Sequence, residues 1–242
     1  MVFVDNDSIN DAAFHFSVEE FFTRYSRRKE PVLMLWQTEK TVMLGNNQVV
    51  RAEVDVDYAN KSEIQIVRRS SGGGAIFTDL GTVLYTVIEP LENEAKIHRE
   101  KVASTIITAI KKMGVPAKRE GRNDILVEGR KISGFAQYTS GNHICTHGSL
   151  LFDADLETLS KVLIANEEKL IPKGIASIRS RVTNIKPYIK ETPTTSEFIS
   201  MLKKELLTGK IFSLFEPGED DLKSIDRIKS EKYANRDWNY RL

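Results

Sequence analysis

Apolar residues recur every three or four positions along several segments of the chain, which is the spacing of an amphipathic helix. The helices predicted from this spacing cover residues 11–28, 53–60, 95–113, 156–163, 194–208 and 217–231. Asn10 or Asp11 is suited to cap the first helix, and Asp155 is suited to cap the helix that begins at residue 156. Gly114 is expected to end the helix at 95–113, because glycine readily adopts the conformation that follows a helix C-terminus.

Short apolar runs rich in β-branched and aromatic residues lie between these helices and predict strands. They cover residues 31–37, 41–45, 64–67, 82–88, 115–119, 124–128, 131–137 and 143–153. The polar triplet at 38–40 and the pair Gly129-Arg130 predict two hairpin turns. Hairpins combined with scattered helices predict an α+β, or mixed α/β, fold in which mixed, mainly antiparallel sheets are flanked by helices.

The amino-acid composition and net charge indicate which classes of binding partner to expect. The 242 residues are 40% hydrophobic, and 35 basic against 34 acidic side chains leave a net charge of +1, which indicates neither a nucleic-acid nor a membrane partner. The N-terminus lacks a basic segment followed by a long apolar run, so the expected location is the cytoplasm. The single cysteine, Cys145, excludes an internal disulfide and suits a reducing compartment.

The segment Ile66–Gly81 carries the first candidate chemistry. Three consecutive glycines, at 72–74, allow backbone N–H groups to approach a ligand closely, and Arg68 and Arg69 add permanently charged groups suited to phosphate. The segment is predicted to form a strand, a tight loop and a return strand. Taken alone, it equally fits a glycine-rich hairpin with two surface arginines. It lacks the Walker A Lys-Ser/Thr ending, and it lacks the dinucleotide-binding glycine spacing.

A second candidate constellation lies at residues 121–134. Asn123 and Asp124 offer the oxygen ligands that Mg²⁺ shares with phosphates, and Lys131 can neutralise a phosphate or polarise a carbonyl. His147 lies in a predicted strand and can point at the same pocket. The structural alternative is an ordinary strand start, a solvated hairpin lysine and a buried sheet histidine.

Two further segments draw attention. Residues 164–187 are irregular and basic, and long loops of this kind are often functional. The C-terminal segment at 232–240 is rich in aromatic residues, and Trp238 is expected to pack it onto the body of the protein.

Four blocks of this sequence together resemble the lipoate–protein ligase family, which has the biotin/lipoate ligase-like fold. The blocks are RRSSGGGAIFTDLG at 68–81, GRNDILVEGRKISGFAQ at 121–137, HGSLLFDADLETLSKVL at 147–163 and KGIASIRSRVTNI at 173–185. They occur in the family's order with family-like spacing, and the resemblance covers nearly the whole chain. It implies a single catalytic domain over residues 1–242, without the C-terminal accessory domain of many bacterial members.

The resemblance implies an adenylating acid–amine ligase. Members of the family use ATP and Mg²⁺ to convert lipoate into lipoyl-AMP with release of pyrophosphate, and then transfer the lipoyl group to a lysine of an apo lipoyl-domain protein. The implied acceptor is a 2-oxoacid dehydrogenase E2 subunit or a glycine-cleavage H-like protein. A catalytic domain without the accessory domain leaves three explanations open: a self-sufficient ligase, a ligase with a separate accessory subunit, or a transferase that uses preformed lipoyl-AMP.

The resemblance also implies residue roles. Lys131 is the catalytic residue that contacts the lipoyl carbonyl oxygen and the α-phosphate, and Asp124 is the metal ligand. The loop from Lys173 to Arg181 is implied to close over the adenylate. The residues implied to bind lipoate or lipoyl-AMP, besides Lys131, are Arg68, Arg69, Ser71, Gly72, Gly73, Gly74, Ile76, Phe77, Asn123, Ser133, Gly134, His147, Gly148 and Arg179.

Departures from the family pattern affect other positions. Thr78 and Thr82 replace a histidine and an asparagine of the family, and the turn at 45–49 lacks an arginine and an asparagine. These changes bear on the entrance of the lipoyl pocket and therefore on the preferred acyl chain. They leave the implied roles of Arg69, Asp124 and Lys131 untouched.

Two alternatives stay open at this point. Related octanoyl- and lipoyltransferases use a cysteine nucleophile without ATP, but Cys145 lies one residue away from the position used in one such group. Successive side chains in a strand point to opposite faces, so Cys145 is expected to point away from that site. The other alternative is a catalytically silent relative that binds lipoyl-domain proteins.

Overall fold

The computed structural model describes residues 1–6, 8–26, 28–92, 95–121, 123–164 and 181–241. Within these residues the strands form a large and a small sheet. The strands are β1 (Val2–Asp5), β2 (Val32–Trp36), β3 (Thr41–Leu44), β4 (Gln65–Arg68), β5 (Ile76–Thr78), β6 (Thr82–Pro90), β7 (Lys118–Glu120), β8 (Asp124–Val127), β9 (Arg130–Ser140), β10 (His143–Leu151) and β11 (Ser213–Leu214).

The large sheet has the order β11-β1-β2-β6-β10-β9-β8-β7, and the small sheet has the order β4-β3-β5. Strand β1 is parallel to both of its neighbours, whereas the remaining pairs of the large sheet are antiparallel. In the small sheet, β3 pairs parallel with β4 and antiparallel with β5. The predicted class, mixed and mainly antiparallel sheets flanked by helices, is therefore confirmed.

Helices cover the sheets on several sides. Their bounds are α1 (Ala12–Glu20), α2 (Val50–Glu53), α3 (Val56–Lys61), α4 (Ala95–Lys112), α5 (Leu156–Val162), α6 (Thr195–Leu207), α7 (Glu219–Ile228) and α8 (Arg236–Tyr240). Short π-helical turns at Phe21–Tyr25 and Lys229–Tyr233 extend α1 and α7, and a 3₁₀ turn lies at Lys186–Tyr188. No helix among the described residues is both long and apolar enough to cross a bilayer.

Several local predictions are confirmed by the helix ends. The carboxylate of Asp11 accepts a hydrogen bond from the Ala13 N–H at 2.9 Å and caps α1. Asp155 caps α5 in the same way, by accepting from the N–H of Thr158 at 2.9 Å. Gly114 follows α4 with a φ of 91°, the left-handed conformation expected after a helix C-terminus.

The strands form close to the predicted positions, but some of the predicted strand pairings are wrong. The predicted hairpin between 31–37 and 41–45 does not form, because β2 joins the large sheet and β3 joins the small one. Strands β4 and β5 likewise do not pair with each other, since β3 lies between them. The hairpin formed by β8 and β9 is confirmed. The short strand β1, the edge strand β11 and the terminal helix α8 were not predicted.

Three apolar clusters hold these layers together. One lies between one face of the large sheet and helices α4 and α6, and a second lies between the opposite face and helices α1 and α7. The third joins the small sheet to α3 and α5. Because β10 is buried on both faces, its odd- and even-numbered side chains contact different layers.

Candidate active site

A cavity of about 220 Å³ opens between α1, the large sheet and the small sheet. Its buried wall is apolar, and its exposed end carries polar and charged groups together with glycines. The lining residues are Phe16, Trp36, Met43, Arg69, Gly73, Gly74, Ala75, Ile76, Leu84, Asn123, Asp124, Lys131, Gly134, Phe135, Ala136, His147 and Gly148. The two segments singled out in the sequence thus meet at one cavity, although about 50 residues separate them.

The glycine loop is held in shape by the buried guanidinium of Arg69. Its Nη2 donates to the carbonyls of Gly72 and Gly74 at 2.9 and 2.8 Å, and its Nη1 donates to the carbonyl of Met43 at 2.9 Å. Burial lowers the pKa of Arg69 to about 10, which still leaves the group charged near neutral pH. Arg69 therefore binds the carbonyls of the loop, which leaves loop N–H groups to face a ligand.

Glycine is required at two positions around this loop. Gly73 has a φ of 98°, which side-chain-bearing residues rarely adopt. A Cβ at Gly45 would collide with the carbonyl oxygen of Gly73. The turn at 45–47 and the glycine loop are therefore packed against each other.

Arg68 does not face the cavity, which corrects the prediction that both arginines are available to an anion. Its side chain is fully buried and donates to backbone carbonyls of the turn after β3 and of the C-terminal segment. The acceptors are Gly45, Asn46, Gln48, Trp238, Asn239 and Arg241. The indole N–H of Trp238 returns a hydrogen bond of 2.8 Å to the carbonyl of Arg68. Arg68 thus fastens the C-terminal segment to the body, and the predicted packing of Trp238 is confirmed.

Ser71 belongs to a buried chain of hydrogen bonds behind the glycine loop. Its Oγ lies 2.6 Å from Nε2 of His147 and accepts from Nε of Arg69 at 3.0 Å. Nδ1 of His147 lies 2.9 Å from the carboxylate of Glu19, which also accepts from the hydroxyl of Thr86 at 2.6 Å. A carboxylate opposite Nδ1 favours the tautomer in which Nδ1 carries the proton and Nε2 accepts from Ser71.

The open end of the cavity carries the second constellation. Nζ of Lys131 lies 2.8 Å from a carboxylate oxygen of Asp124, and both side chains remain partly exposed. The lysine runs over Gly134, where a Cβ would lie 2.7 Å from Nζ. The side-chain oxygen of Asn123 is buried and has no hydrogen-bond partner among the described residues. An unpaired oxygen beside a carboxylate is a donor set that suits a hard cation.

The remaining predicted site residues fall into three groups. Ile76, Gly134 and Gly148 line the cavity as expected. Gly72, Phe77 and Ser133 lie beside it without lining it, and Phe77 packs in the core of the small sheet. Arg179 and most of the basic segment at 164–187 lie outside the described residues.

Sequence reasoning missed the apolar wall and the buried carboxylate. Phe16, Trp36, Met43, Leu84 and Phe135 come from five different elements, so no local pattern marks them as neighbours. Glu19 is 1% exposed on a helix, and a carboxylate that deeply buried is rare without a partner. Glu19 lies outside the apolar face formed by Phe14, Val18 and Phe21, so the helical spacing gave no signal for its burial.

The opposite face of β10 carries a second buried histidine network. Nε2 of His98, on α4, lies 3.0 Å from the carboxylate of Glu89, and Nδ1 of His98 lies 3.0 Å from the hydroxyl of Thr146. The amide of Gln137 donates to the same hydroxyl at 2.9 Å, and Lys101 binds Glu89 at 2.9 Å. The hydrogen bond from His98 lowers the pKa of Glu89 to about 2.

Comparison with known proteins agrees with this geometry. A family model described as the lipoyl protein ligase A/B catalytic domain matches residues 11–207. Lipoate-protein ligase LplJ of Bacillus subtilis is 35% identical over 243 residues, which cover 99% of this chain and 73% of LplJ.

Two solved structures share the fold. One is from the bi-partite lipoate protein ligase of Thermoplasma acidophilum, studied with its E2 lipoyl domain, at a TM-score of 0.87 and 23% identity over 99% of this chain and 95% of that one. The other is a lipoate-protein ligase A bound with ATP, at a TM-score of 0.86 and 21% identity over 99% and 98% of the two chains.

Proposed function

The chain belongs to the lipoyl protein ligase A/B catalytic-domain family, and we propose that it activates lipoate with ATP and transfers the lipoyl group to a lysine of a lipoyl-domain protein. The observation that carries this proposal is one cavity with an apolar wall, a glycine loop and Lys131 at its open end. An acyl chain fits the apolar wall, and a developing phosphate charge fits the other end.

The apolar wall supports an acyl substrate that enters with its carboxylate outermost. Phe16, Trp36 and Leu84 are buried and carry no charge, so this part of the cavity favours an apolar chain. Burying apolar surface stabilises a complex by about 25 cal/mol per Å², so an eight-carbon chain gains several kcal/mol here. The carboxylate then lies beside the glycine loop and Lys131, where the polar groups of the cavity are.

The first proposed step forms the mixed anhydride. A carboxylate oxygen of lipoate attacks the α-phosphorus of ATP, the bond from that phosphorus to the bridging oxygen breaks, and pyrophosphate leaves. Negative charge accumulates on the α-phosphate during this exchange, and Lys131 together with the loop N–H groups stabilises it. Lys131 must first release Asp124, to which it is bound at 2.8 Å.

The donor set around Asp124 supports a Mg²⁺ ion shared with the phosphates of ATP. The unpaired oxygen of Asn123 and the carboxylate of Asp124 would hold it, because both are hard oxygen ligands at the open end of the cavity. A bound Mg²⁺ supplies positive charge that neutralises the phosphates. With Asp124 turned towards that ion, Lys131 would be available to the reacting groups.

The second proposed step transfers the acyl group. The ε-amine of the acceptor lysine attacks the carbonyl carbon of lipoyl-AMP, the bond to the phosphate oxygen breaks, and AMP leaves as the amine loses a proton to solvent. Lys131 polarises the carbonyl and stabilises the leaving phosphate. Its partly exposed position at the cavity mouth supports this role, since the acceptor lysine must arrive from solvent.

A second candidate function is transfer from preformed lipoyl-AMP, with activation supplied elsewhere. The observation that favours it is the likeness to the Thermoplasma acidophilum protein, whose ligase is bi-partite. We propose that residues 1–242 contain the complete transfer site, so that any accessory subunit serves activation alone. The acceptors proposed for both functions are E2-type or H-protein-type lipoyl domains, and the proposed location is the cytoplasm.

A cysteine-based transferase finds less support. Burial raises the pKa of the Cys145 thiol well above its usual value, and the carboxylate of Glu19 raises it further. A thiol kept protonated is a poor nucleophile. Cys145 is also not among the residues that line the cavity.

One experiment separates the proposed functions. Purified chain, apo lipoyl domain and Mg²⁺ are incubated with lipoate plus ATP in one arm and with synthetic lipoyl-AMP in the other, and the acceptor mass is measured. We expect the lipoyl mass increment in both arms. An increment with lipoyl-AMP alone supports the transferase. No increment in either arm, with E2-type and H-type acceptors both tried, contradicts both proposals.

A further inference from the structure

A cluster of three buried side chains lies beside the cavity, and the proposed reaction assigns a step to none of them. Glu19 on α1 and Cys145 and His147 on β10 bring a carboxylate oxygen, a thiol sulfur and an imidazole nitrogen within 4.8 Å of one another. All three side chains are buried. From this geometry we propose that Glu19, Cys145 and His147 form a binding site for a thiophilic divalent cation, with Zn²⁺ as the best match.

The identity of the three ligands favours zinc over the harder cations. Zn²⁺ binds thiolate, imidazole and carboxylate, usually with four ligands in a tetrahedron, whereas Mg²⁺ and Ca²⁺ prefer oxygen alone. Sites with three protein ligands leave a fourth position for a water or another ligand. His147 lines the cavity whereas Glu19 and Cys145 do not, so the imidazole is the ligand through which a cation in the cavity would enter.

Strand geometry brings the ligands together. Cys145 and His147 are two residues apart on β10, and residues two apart in a strand point to the same face. Helix α1 lies across that face and delivers Glu19, whose carboxylate is already 2.9 Å from Nδ1 of His147. Tetrahedral zinc bonds of about 2.0–2.3 Å place ligand atoms roughly 3.3–3.6 Å apart, so the Glu19 oxygen and Nδ1 of His147 separate slightly while the Cys145 sulfur, within 4.8 Å of both, moves closer.

Charge balance supports occupation of a site this deeply buried. The carboxylate of Glu19 and the thiolate of Cys145 together carry two negative charges, which a divalent cation neutralises. Burial and the carboxylate raise the pKa of the free thiol, and a bound cation reverses that preference because a coordinating thiol is deprotonated. One proton therefore leaves the thiol on binding, and the site becomes neutral.

The hydrogen bonds around the cluster accommodate this change. When Nδ1 of His147 binds the cation, the imidazole stays neutral by carrying its proton on Nε2, where it donates to Oγ of Ser71 at the present 2.6 Å contact. Tyr138 lies opposite Cys145 in the β9–β10 ladder, and its buried hydroxyl is within reach of the Cys145 thiol. That hydroxyl is placed to donate to a coordinated thiolate, the kind of support that metal ligands commonly have.

The test uses Co²⁺ as a spectroscopic substitute for Zn²⁺, with reduced full-length chain and no substrate present. Coordination of Co²⁺ by a thiolate gives a near-ultraviolet charge-transfer absorption, and Cys145 is the only cysteine of the chain. We expect this absorption to saturate at one Co²⁺ per chain and to disappear when Zn²⁺ is added. We also expect the affinity to rise roughly tenfold per pH unit, because binding releases one proton.

Variants assign the ligands. In Cys145→Ser the charge-transfer absorption is expected to vanish and Zn²⁺ affinity to fall at least about 100-fold, since even losing a partner that only supports a ligand costs 10–100-fold. His143→Gln is the matched control, because this histidine lies on the same strand but outside the cluster. It should retain the absorption and the affinity of the unaltered chain.

Two outcomes overturn the proposal. One is the absence of thiolate absorption when the unaltered chain is titrated with Co²⁺ near neutral pH, a result that depends on no variant folding. The other is equal Zn²⁺ affinity in the unaltered chain and Cys145→Ser. Neither measurement involves lipoate or ATP, so failure here leaves the proposed ligase function standing, and failure of that function leaves this site standing.

Discussion

Strand β10 bears a buried histidine network on each face, and both networks are built from the same three groups. On one face His147 joins the carboxylate of Glu19 to the hydroxyl of Ser71, with contacts of 2.9 and 2.6 Å. On the other face His98 joins the carboxylate of Glu89 to the hydroxyl of Thr146, with both contacts at 3.0 Å. The two imidazoles are equally buried, each at 6% exposure, but Glu19 is 1% exposed whereas the Glu89 side chain is 16% exposed.

Their surroundings differ. His147 lines the cavity, and its hydroxyl partner is bound to Arg69, which in turn binds the carbonyls of the glycine loop. His98 is not among the lining residues, and its network ties α4 to the sheet. We therefore propose that the carboxylate–imidazole–hydroxyl chain around His147 serves a functional site, because a cavity and the glycine loop reach it, and that the chain around His98 stabilises packing.

The largest effect is expected on the cavity side, from Lys131→Ala. We expect transfer from preformed lipoyl-AMP to fall by about 10²–10³-fold, the range found when a group that stabilises transition-state charge is removed. The unfolding midpoint should stay unchanged, because the pair with Asp124 is partly exposed and such pairs contribute little. Acceptor mass gives the rate. Lys101→Ala, from the network around Glu89, is the matched control and should transfer normally; normal transfer by Lys131→Ala would contradict the mechanism.

The two hydroxyls provide a direct comparison of the networks. Ser71→Ala leaves Nε of Arg69 and Nε2 of His147 without their partner, and we expect transfer to fall about 10–100-fold as the glycine loop loses its support.

Thr146→Val, on the other face, should leave transfer unchanged and lower the free energy of unfolding by about 1–3 kcal/mol, because the side chains of His98 and Gln137 lose the hydroxyl to which they hydrogen-bond. If both variants lose transfer equally, the prediction that only the network around His147 supports transfer is wrong. Transfer assays and denaturant titrations measure the two quantities.

The network around Glu89 should also make stability depend on acid pH. Its folded-state pKa is about 2, below the ordinary value of 4.5, so its stabilisation is fully present above pH 4.5 and is lost as pH falls from 4.5 towards 2. We expect Glu89→Gln to be less stable than the unaltered chain at pH 7, by on the order of 2 kcal/mol, with the gap closing below pH 4. Urea titrations from pH 7 to pH 3 measure it. If the difference in free energy of unfolding between the two proteins does not change with pH, the Glu89 carboxylate is not the source of this stabilisation.

The smallest effect is expected from Cys145→Ser. In the absence of added metal, transfer should stay within about twofold of the unaltered chain, because the buried thiol is protonated and does not line the cavity. The rate and the mass of the enzyme itself are measured together. Loss of activity without an acyl adduct on the unaltered enzyme would indicate a packing role, whereas an acyl-cysteine adduct would revive the transferase alternative.

Much of the local structure was readable from residue patterns. Apolar spacing placed the helix at 95–113 to within a residue of α4, and turn chemistry at Gly129-Arg130 placed the β8–β9 hairpin. Side-chain chemistry picked out the glycine loop, Asp124 and Lys131, which do meet at the cavity. These features depend on neighbours close in sequence, or on side chains with few alternative uses.

Other features depended on long-range packing. Nothing in the run at 31–45 indicates that β2 and β3 enter different sheets, because a polar triplet suits a hairpin as well as a crossing between layers. Arg68 and Arg69 are adjacent and chemically identical. The turn after β3 and the docked C-terminal segment give Arg68 carbonyls to bind, whereas Met43 and the glycine loop do the same for Arg69.

Residue identity and spacing thus determined which elements form and which side chains carry chemistry, because both follow from short-range periodicity and intrinsic charge. Residue patterns already pointed to His147, but tertiary structure alone decided which carboxylate that histidine contacts. The reason is geometric: His147 and Glu19 are 128 positions apart, and only the packing of α1 across β10 brings them within 2.9 Å.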